Sequence, residues 1–171
     1  MALQRILVVK ILVVSLLNGC INANKEVCKT SIEGASTQDW IKWGDNFYKV
    51  IMEKMPWLEA RDTCAEMGGV MVTPKSENEG RFLAGITPLS DDFRHFWINC
   101  NDRLVEGTWE CDGKTDIPYQ PWLGNGYEPN NYGINGEDCG VTYEGGIGWA
   151  DCPCSLQLHA VCKKPLAVLH L

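Results

Sequence analysis

The segment "YEPNNYGINGEDC", Tyr127–Cys139, carries carboxylate or amide oxygens on Glu128, Asn130, Asn131, Asn135, Glu137 and Asp138 and almost nothing that builds a core. It closes a long region, Asp112 to Gly136, that is full of Gly, Pro, Asn and Asp. A loop of that length inside a compact domain is either functional or disordered. Oxygen-rich loops suit hard cations, since Ca²⁺ takes about six to eight oxygen ligands from carboxylates, amides, carbonyls and water. Glu128, Asn130 and Glu137 offer such oxygens within one loop, and Asp151 adds another where the chain folds back. Pro129 sits between two of these ligands. A cis bond there would turn both flanking side chains toward one point.

Working outward, the chain has 171 residues and a formal net charge of −7, which suits one domain. Its first segment, "MALQRILVVKILVVSLLNGCINA", has basic residues, then an apolar run, then small and polar residues. That is the layout of a secretory signal peptide, expected to span 1–23 and to leave a domain over 24–164 and a tail over 165–171. The apolar stretch Ile6–Leu17 is broken by Lys10 and falls short of the roughly twenty residues of a membrane span. A lipid-attachment reading at Cys20 fits poorly because of Asn18. Removing the leader takes away Arg5 and Lys10 and moves the net charge to −9. So acidic a chain is a poor partner for nucleic acid, whose phosphates call for Lys and Arg. Of the nine cysteines, eight survive in the secreted chain, and an even number outside the cell reads as a disulfide framework.

The periodicities predict an α+β domain. "DNFYKVIM" (Asp45–Met52) reads as a strand. Pro56 opens a helix in which Trp57, Ala60, Cys64 and Met67 share one face, ended by Gly68 and Gly69. Ser76 and Glu79 have the S-x-x-E spacing of a capping box at the start of a second helix. "FWINC", "GTWEC", "CGVTYE", "GWADC" and "HAVCKK" read as short strands of small antiparallel sheets. Trp97, Trp109 and Trp149 are expected in the core rather than on the surface.

These stretches, taken in order, resemble the C-type lectin domain over roughly Cys28–Lys164. "WLEARDTCAEMGG" resembles the first family helix with its cysteine, and "FWINCNDRLVEGTW" the central W-I-G-L strand and the E-G-x-W turn. "EPNN…GEDC" resembles the sugar-site loop, "WADCPC" the W-N-D-x-x-C strand, and "HAVC" the closing strand. The resemblance implies a two-helix, disulfide-stapled fold with a long calcium-binding loop. It implies the bridges Cys64–Cys162 and Cys139–Cys154, with Cys100 and Cys111 paired across a hairpin. Cys28 and Cys152 then remain, to pair with each other or to leave Cys28 for a second chain.

The family's sugar site is a Ca²⁺ that binds two sugar hydroxyls, each also held by an amide donor and a carboxylate acceptor. Carried over, the resemblance makes Glu128, Asn130, Glu137 and Asp151 ligands of the sugar-site calcium. It makes Asp102, Glu106, Asn131 and Asp138 ligands of an auxiliary calcium. Glu128, Asn130 and Glu137 would also touch sugar, with Tyr132 as a further contact. The E-P-N order implies mannose, fucose or N-acetylglucosamine-type glycans. One position departs from the pattern: the asparagine of W-N-D is Ala150, which offers no oxygen and no amide. A zinc site from Cys152, Cys154, His159 and Cys162 is disfavoured in an oxidising compartment. A glycosidase pair of Glu128 and Glu137 lacks anything in the sequence to separate their pKa values. The expectation is therefore a secreted, non-enzymatic, calcium-dependent glycan-binding domain, with a possible homo-oligomer. The rival is a calcium-independent protein-binding or structural module on the same fold with a degraded sugar site.

Overall fold

The computed structural model describes residues 40–87, 95–143 and 147–167. The leader, Cys20 and Cys28 lie outside them, as does most of the C-terminal tail. The described residues form strands β1 (Ile41–Trp43) and β2 (Asn46–Met55), helix α1 (Trp57–Glu66), strand β3 (Val70–Met71) and helix α2 (Glu77–Ile86). Strands β4 (Phe96–Asn101), β5 (Glu110–Cys111), β6 (Cys139–Tyr143), β7 (Gly148–Cys152) and β8 (Leu158–Pro165) follow. This is the α+β, two-helix architecture that the resemblance implies. Among the described residues no helix is long and apolar enough to cross a membrane.

The strands line up in the order β1-β2-β8-β4-β6-β7, with β3 on β8 and β5 on β4. The pairings are antiparallel except for β4 beside β8, where Phe96 faces His159 and Trp97 faces Ala160 in parallel. The sheet is thus mixed. Alternation along strands reveals which faces are apolar but carries no information on whether two distant strands run parallel.

That alternation fills two cores. Along β4, Trp97 packs with Ile51, Met55, Trp57, Ala60 and Ala160, while Phe96 and Ile98 pack with Tyr48, Leu83, Trp109, Trp149 and Val161. All three tryptophans expected in the core are buried there. Two indoles also tie the layers together through hydrogen bonds: Trp57 Nε1 donates to Ile98 O and Trp97 Nε1 to Met55 O, both at 2.8 Å. Both donors are buried, where an unpaired N–H is costly; the buried Trp149 Nε1 has no such partner among the described residues.

Trp57, Ala60 and Cys64 form the buried stripe of α1. Met67 does not join it and is 37% exposed. It sits at the C-cap, where Gly68 at φ +73° turns the chain away and the helical phase no longer applies. Gly69 next passes so close to β8 that a Cβ would lie 2.7 Å from Lys163 O. Of "GTWEC", only Glu110–Cys111 is strand. The Gly107 N–H is instead drawn to Asp102 Oδ2 at 2.8 Å, which makes a turn of the preceding residues.

The capping signal at Ser76 is half formed. Ser76 Oγ accepts from Glu79 N at 3.2 Å, but the Glu79 carboxylate reaches one residue further back, to Lys75 N at 2.8 Å. The same carboxylate accepts from Tyr48 Oη and from Lys163 Nζ, each at 2.7 Å, and Glu79 is only 3% exposed. What looks in sequence like a local cap joins α2, β2 and β8. Beside it, burial and the Glu79 charge push the Tyr48 phenol well above its usual pKa.

The bridges Cys64–Cys162, Cys100–Cys111 and Cys139–Cys154 are all formed. The first spans 98 residues, worth roughly 4–5 kcal/mol in the chain-entropy model. Cys152 is buried and has no disulfide partner among the described residues.

Removing one partner of a buried ion pair strands the other. Glu79→Ala is therefore expected to cost about 3–5 kcal/mol, against about 1 kcal/mol for Ser76→Ala. Urea unfolding monitored by tryptophan fluorescence checks this, and equal costs would reduce Glu79 to an ordinary helix cap.

Candidate functional site

The long loop is built from its stem upward. Asp112, at φ +53°, anchors one end: its Oδ1 accepts from Thr73 Oγ1 and Asn99 Nδ2 at 2.9 and 3.0 Å. Lys75 Nζ closes on its Oδ2 at 2.6 Å. Further on, Trp149 N donates to Pro121 O at 2.9 Å, and Trp122 meets Trp109 and Trp149 edge-on at 4.6 and 5.7 Å between ring centroids. Edge-to-face rings of this kind contribute about 0.5–1.5 kcal/mol each beyond area burial. Leu123 lies against Gly148, where a Cβ would come within 2.2 Å of its Cδ2. Aromatic packing thus presses the loop onto β7.

Above this stem the loop is held by its own polar groups. The Glu128–Pro129 peptide bond is cis. The Asp151 carboxylate, on β7, accepts from Asn130 N at 3.0 and 3.1 Å and from Asn131 N at 2.7 Å. Asn131, at φ +49°, turns its Oδ1 to accept from Glu137 N at 2.6 Å. Glu137 Oε2 in turn accepts from Tyr132 N at 3.1 Å.

These groups line one open pocket of about 330 Å³, with Glu128, Asn130, Tyr132, Glu137, Ala150 and Asp151 in its wall. The structure therefore brings together all four residues read as principal ligands, with Tyr132 standing 79% exposed at the rim. Ala150 faces the same pocket, as the cross-strand partner of Val141. His95, Val141, Tyr143, Cys152, Leu156 and Leu158 complete the wall. None of them was legible as a residue of this site, Cys152 having been weighed only for zinc, because each reads in sequence as an ordinary strand or turn position and arrives here only through the fold.

The auxiliary set assembles below. Carboxylate oxygens of Asp102, Glu106 and Asp138 lie within 4.8 Å of one another. Among the described residues this is the one group of three acidic, imidazole or thiol side chains so gathered. The oxygens of Glu128, Glu137 and Asp151 share a pocket without converging as tightly, since backbone N–H groups hold two of those carboxylates. Asn131 joins the lower set at its edge: its Oδ1 and that of Asp138 both border Gly136, 2.9 and 3.5 Å from where a Cβ would sit.

Two oxygens here are buried without any partner, Asp102 Oδ1 and Glu128 Oε2. An acceptor left unpaired in a buried position is costly, and a cation is the natural complement of an oxygen-only, acidic donor set. The electrostatics agree. Burial pushes Glu128 up to about 7, helped by Asp151 opposite it and by Glu137. Asp102 and Glu137 are raised as well, mainly by burial and partly by neighbouring carboxylates. Burial, with Glu137, Asp151 and Glu128 adding to it, pushes the Cys152 thiol up to about 12. Without a cation, the negative charges gathered here oppose one another.

Residues 53–164 match the family described as the Lectin C-type domain. The chain belongs to the C-type lectin domain family. Among its C-type lectin relatives, echinoidin of Heliocidaris crassispina is 31% identical over 142 residues, covering 74% of this chain and 95% of echinoidin. C-type lectin domain family 4 member M of Symphalangus syndactylus is 34% identical over 132 residues, 76% of this chain but only 30% of that protein. Of the solved C-type lectin structures, the carbohydrate-recognition domain of cow CD23, crystallised in the presence of a GlcNAc2Man3 oligosaccharide, superposes with a TM-score of 0.67 at 27% identity. That match covers 79% of this chain and 98% of the cow domain.

The raised carboxyl pKa values fix a sign. A carboxyl group whose folded pKa exceeds its unfolded value stabilises at low pH, and that stability is lost as pH rises through the folded pKa. With chelator present, the melting temperature is expected to fall between pH 4.5 and pH 7.5, with Glu128 as a main contributor, and Glu128→Gln should flatten the slope. Differential scanning fluorimetry across that range tests it; a chelated protein that stabilises steadily toward pH 7.5 would refute the charge crowding.

Proposed function

We propose that this domain binds glycans through calcium and catalyses no reaction. In this reading Glu128, Asn130, Glu137 and Asp151 hold the sugar-site ion, and Glu128, Asn130 and Glu137 also touch sugar hydroxyls, with Tyr132 at the rim. Asp102, Glu106, Asn131 and Asp138 hold an auxiliary ion beneath the loop. The observation that carries the reading is the partnerless Glu128 Oε2 in a pocket that also gathers Asn130, Glu137 and Asp151. The ion would supply a charge on which two vicinal hydroxyls replace water. Carboxylates accept from those hydroxyls and the Asn130 amide donates to them. The E-P-N order favours mannose, fucose or N-acetylglucosamine-type glycans, and the signal-peptide layout favours secretion. One such site binds a monosaccharide weakly, so function would call for several on one surface, through a homo-oligomer built on the domain face or on Cys28.

A second reading is favoured by one feature. Asp151 already accepts two backbone N–H groups, those of Asn130 and Asn131, and Ala150 supplies no ligand, so the loop has a way to hold its shape without an ion. On this reading the domain is a calcium-independent protein-binding or structural module.

Binding of the secreted protein to a glycan array in Ca²⁺ and in EDTA separates the two. Mannose- or fucose-type signals that vanish in EDTA are expected; signals absent in both, or unchanged by EDTA, would favour the second reading. Calorimetric titration should count two calcium sites, falling to one in Asp138→Asn. Restoring the missing ligand with Ala150→Asn should tighten calcium binding about tenfold, the size of one hydrogen bond to a charged group.

A further inference from the structure

A second cleft, of about 420 Å³, opens between α1 and the turn from β4 to β5, and it shares no lining residue with the loop pocket. Two guanidiniums, from Arg61 on α1 and Arg103 on the turn, stand over the buried Trp57 ring, 5.7 and 6.0 Å from its centroid. The ring face attracts both cations. Arg61 also leans on its neighbour Asp62 at 2.7 Å, whereas the Arg103 side chain makes no ion pair or hydrogen bond among the described residues. Two acids share the lining. Asp102 is buried with its Oδ2 on Gly107 N, Glu110 is half-buried, and neither pairs with Arg103. Next to Arg103 stand Leu104 and Val105, 88% and 59% exposed. Large apolar side chains left together in water beside a cleft mark an interaction surface. The turn that carries them is tied down. Val105 N donates to Asp102 O at 3.0 Å, Thr108 N to Val105 O at 2.9 Å and Gly107 N to Asp102 Oδ2 at 2.8 Å. The apolar pair is therefore held out rather than folded back, and docking on it has little ordering entropy to overcome.

We propose that this cleft docks a partner protein through a segment that carries a carboxylate beside a bulky apolar side chain. The carboxylate enters between Arg61 and Arg103, whose planar forks match it, and the apolar side chain covers Leu104 and Val105. Arginine clusters recognise acidic motifs in this way, and arginine beside an aromatic ring is enriched at the centre of interfaces. A polyanion such as a sulfated glycan would satisfy the guanidiniums but leave Leu104 and Val105 wet, and it would meet the net negative charge of the chain from every other side. The surface lies outside the loop pocket, so the inference stands whether or not the loop binds glycan.

The probe is an array of short synthetic peptides in which Asp or Glu stands within a few residues of Leu, Ile or Phe. Each has two matched controls, an amide in place of the acid and Ala in place of the apolar residue. The peptide that binds best is then titrated against the intact protein by fluorescence anisotropy. Peptides with both groups are expected to bind about tenfold or more tightly than either control, the size of one hydrogen bond to a charged group. They should also shift the Trp57 indole and the Arg103–Val105 amide signals in NMR spectra. Arg103→Gln and Leu104→Ser, both at exposed positions, should each weaken that peptide about tenfold and leave glycan binding at the loop unchanged. Peptides no better than their controls, or an affinity unmoved by both substitutions, would overturn the inference. Tighter, Arg103-dependent binding of a heparin oligosaccharide would overturn it too, by giving the guanidiniums to an anionic glycan. So would a dimer in sedimentation that Leu104→Ser dissolves, which makes the cleft an interface between copies.

Discussion

The carboxylate of Asp151 is the constraint on which the rest of this site depends. It projects from β7 in the interior of the fold and accepts the N–H groups of Asn130 and Asn131, two consecutive residues at the tip of an otherwise irregular loop. One rigid strand position thus sets the height and direction of the loop backbone. Asn131 and Glu137 pass that order along the tip through their own hydrogen bonds. The Cys139–Cys154 bridge closes the base, so the loop is fixed both by a covalent staple and by a charged acceptor. The cost is visible in the same place. Asp151 also repels Glu128 and Glu137, and the arrangement gathers more negative charge than the protein itself neutralises.

The scaffold beneath tolerates this because its own order comes from elsewhere. The two cores on opposite faces of the sheet, the Cys64–Cys162 bridge and the Glu79 hub between α2, β2 and β8 hold the helices and central strands without reference to the loop. The aromatic contact of Trp122 with Trp109 and Trp149 links the two regions. The site is therefore a variable attachment to a fixed frame. This division is why family membership, shown over most of the domain, identifies the frame firmly while the detailed chemistry of the pocket turns on single residues such as Ala150.

Much of this frame was legible in the sequence. The stripe Trp57–Ala60–Cys64, the buried tryptophans and the two helix starts follow from periodicity and cap chemistry, which act over a few residues. The disulfide pairs followed from the resemblance, since composition alone cannot choose among pairings. The departures are instructive in the same terms. Met67 continued the helical pattern by count but sits where Gly68 has ended the helix. Glu79 had the spacing of a local cap but was recruited by Tyr48 and Lys163, 31 and 84 residues away. The parallel contact of β4 with β8 left no trace in either strand, because alternation is the same in both directions.

The sequence by itself determined which residue types were available: an oxygen-rich loop, acidic turns, paired cysteines, and an alanine where the family pattern has an amide. These are local chemical facts, carried by identity and spacing. Only the tertiary structure decided how they combine. It gathered Asp102, Glu106 and Asp138 into one cluster, left Glu128 Oε2 buried without a partner, and set Val141, Ala150, Leu156 and Tyr143 along one wall of the pocket that holds the loop carboxylates. The physical reason is that strand register and chain crossing place residues by hydrogen bonds and packing between distant segments, and a linear spacing does not encode those contacts.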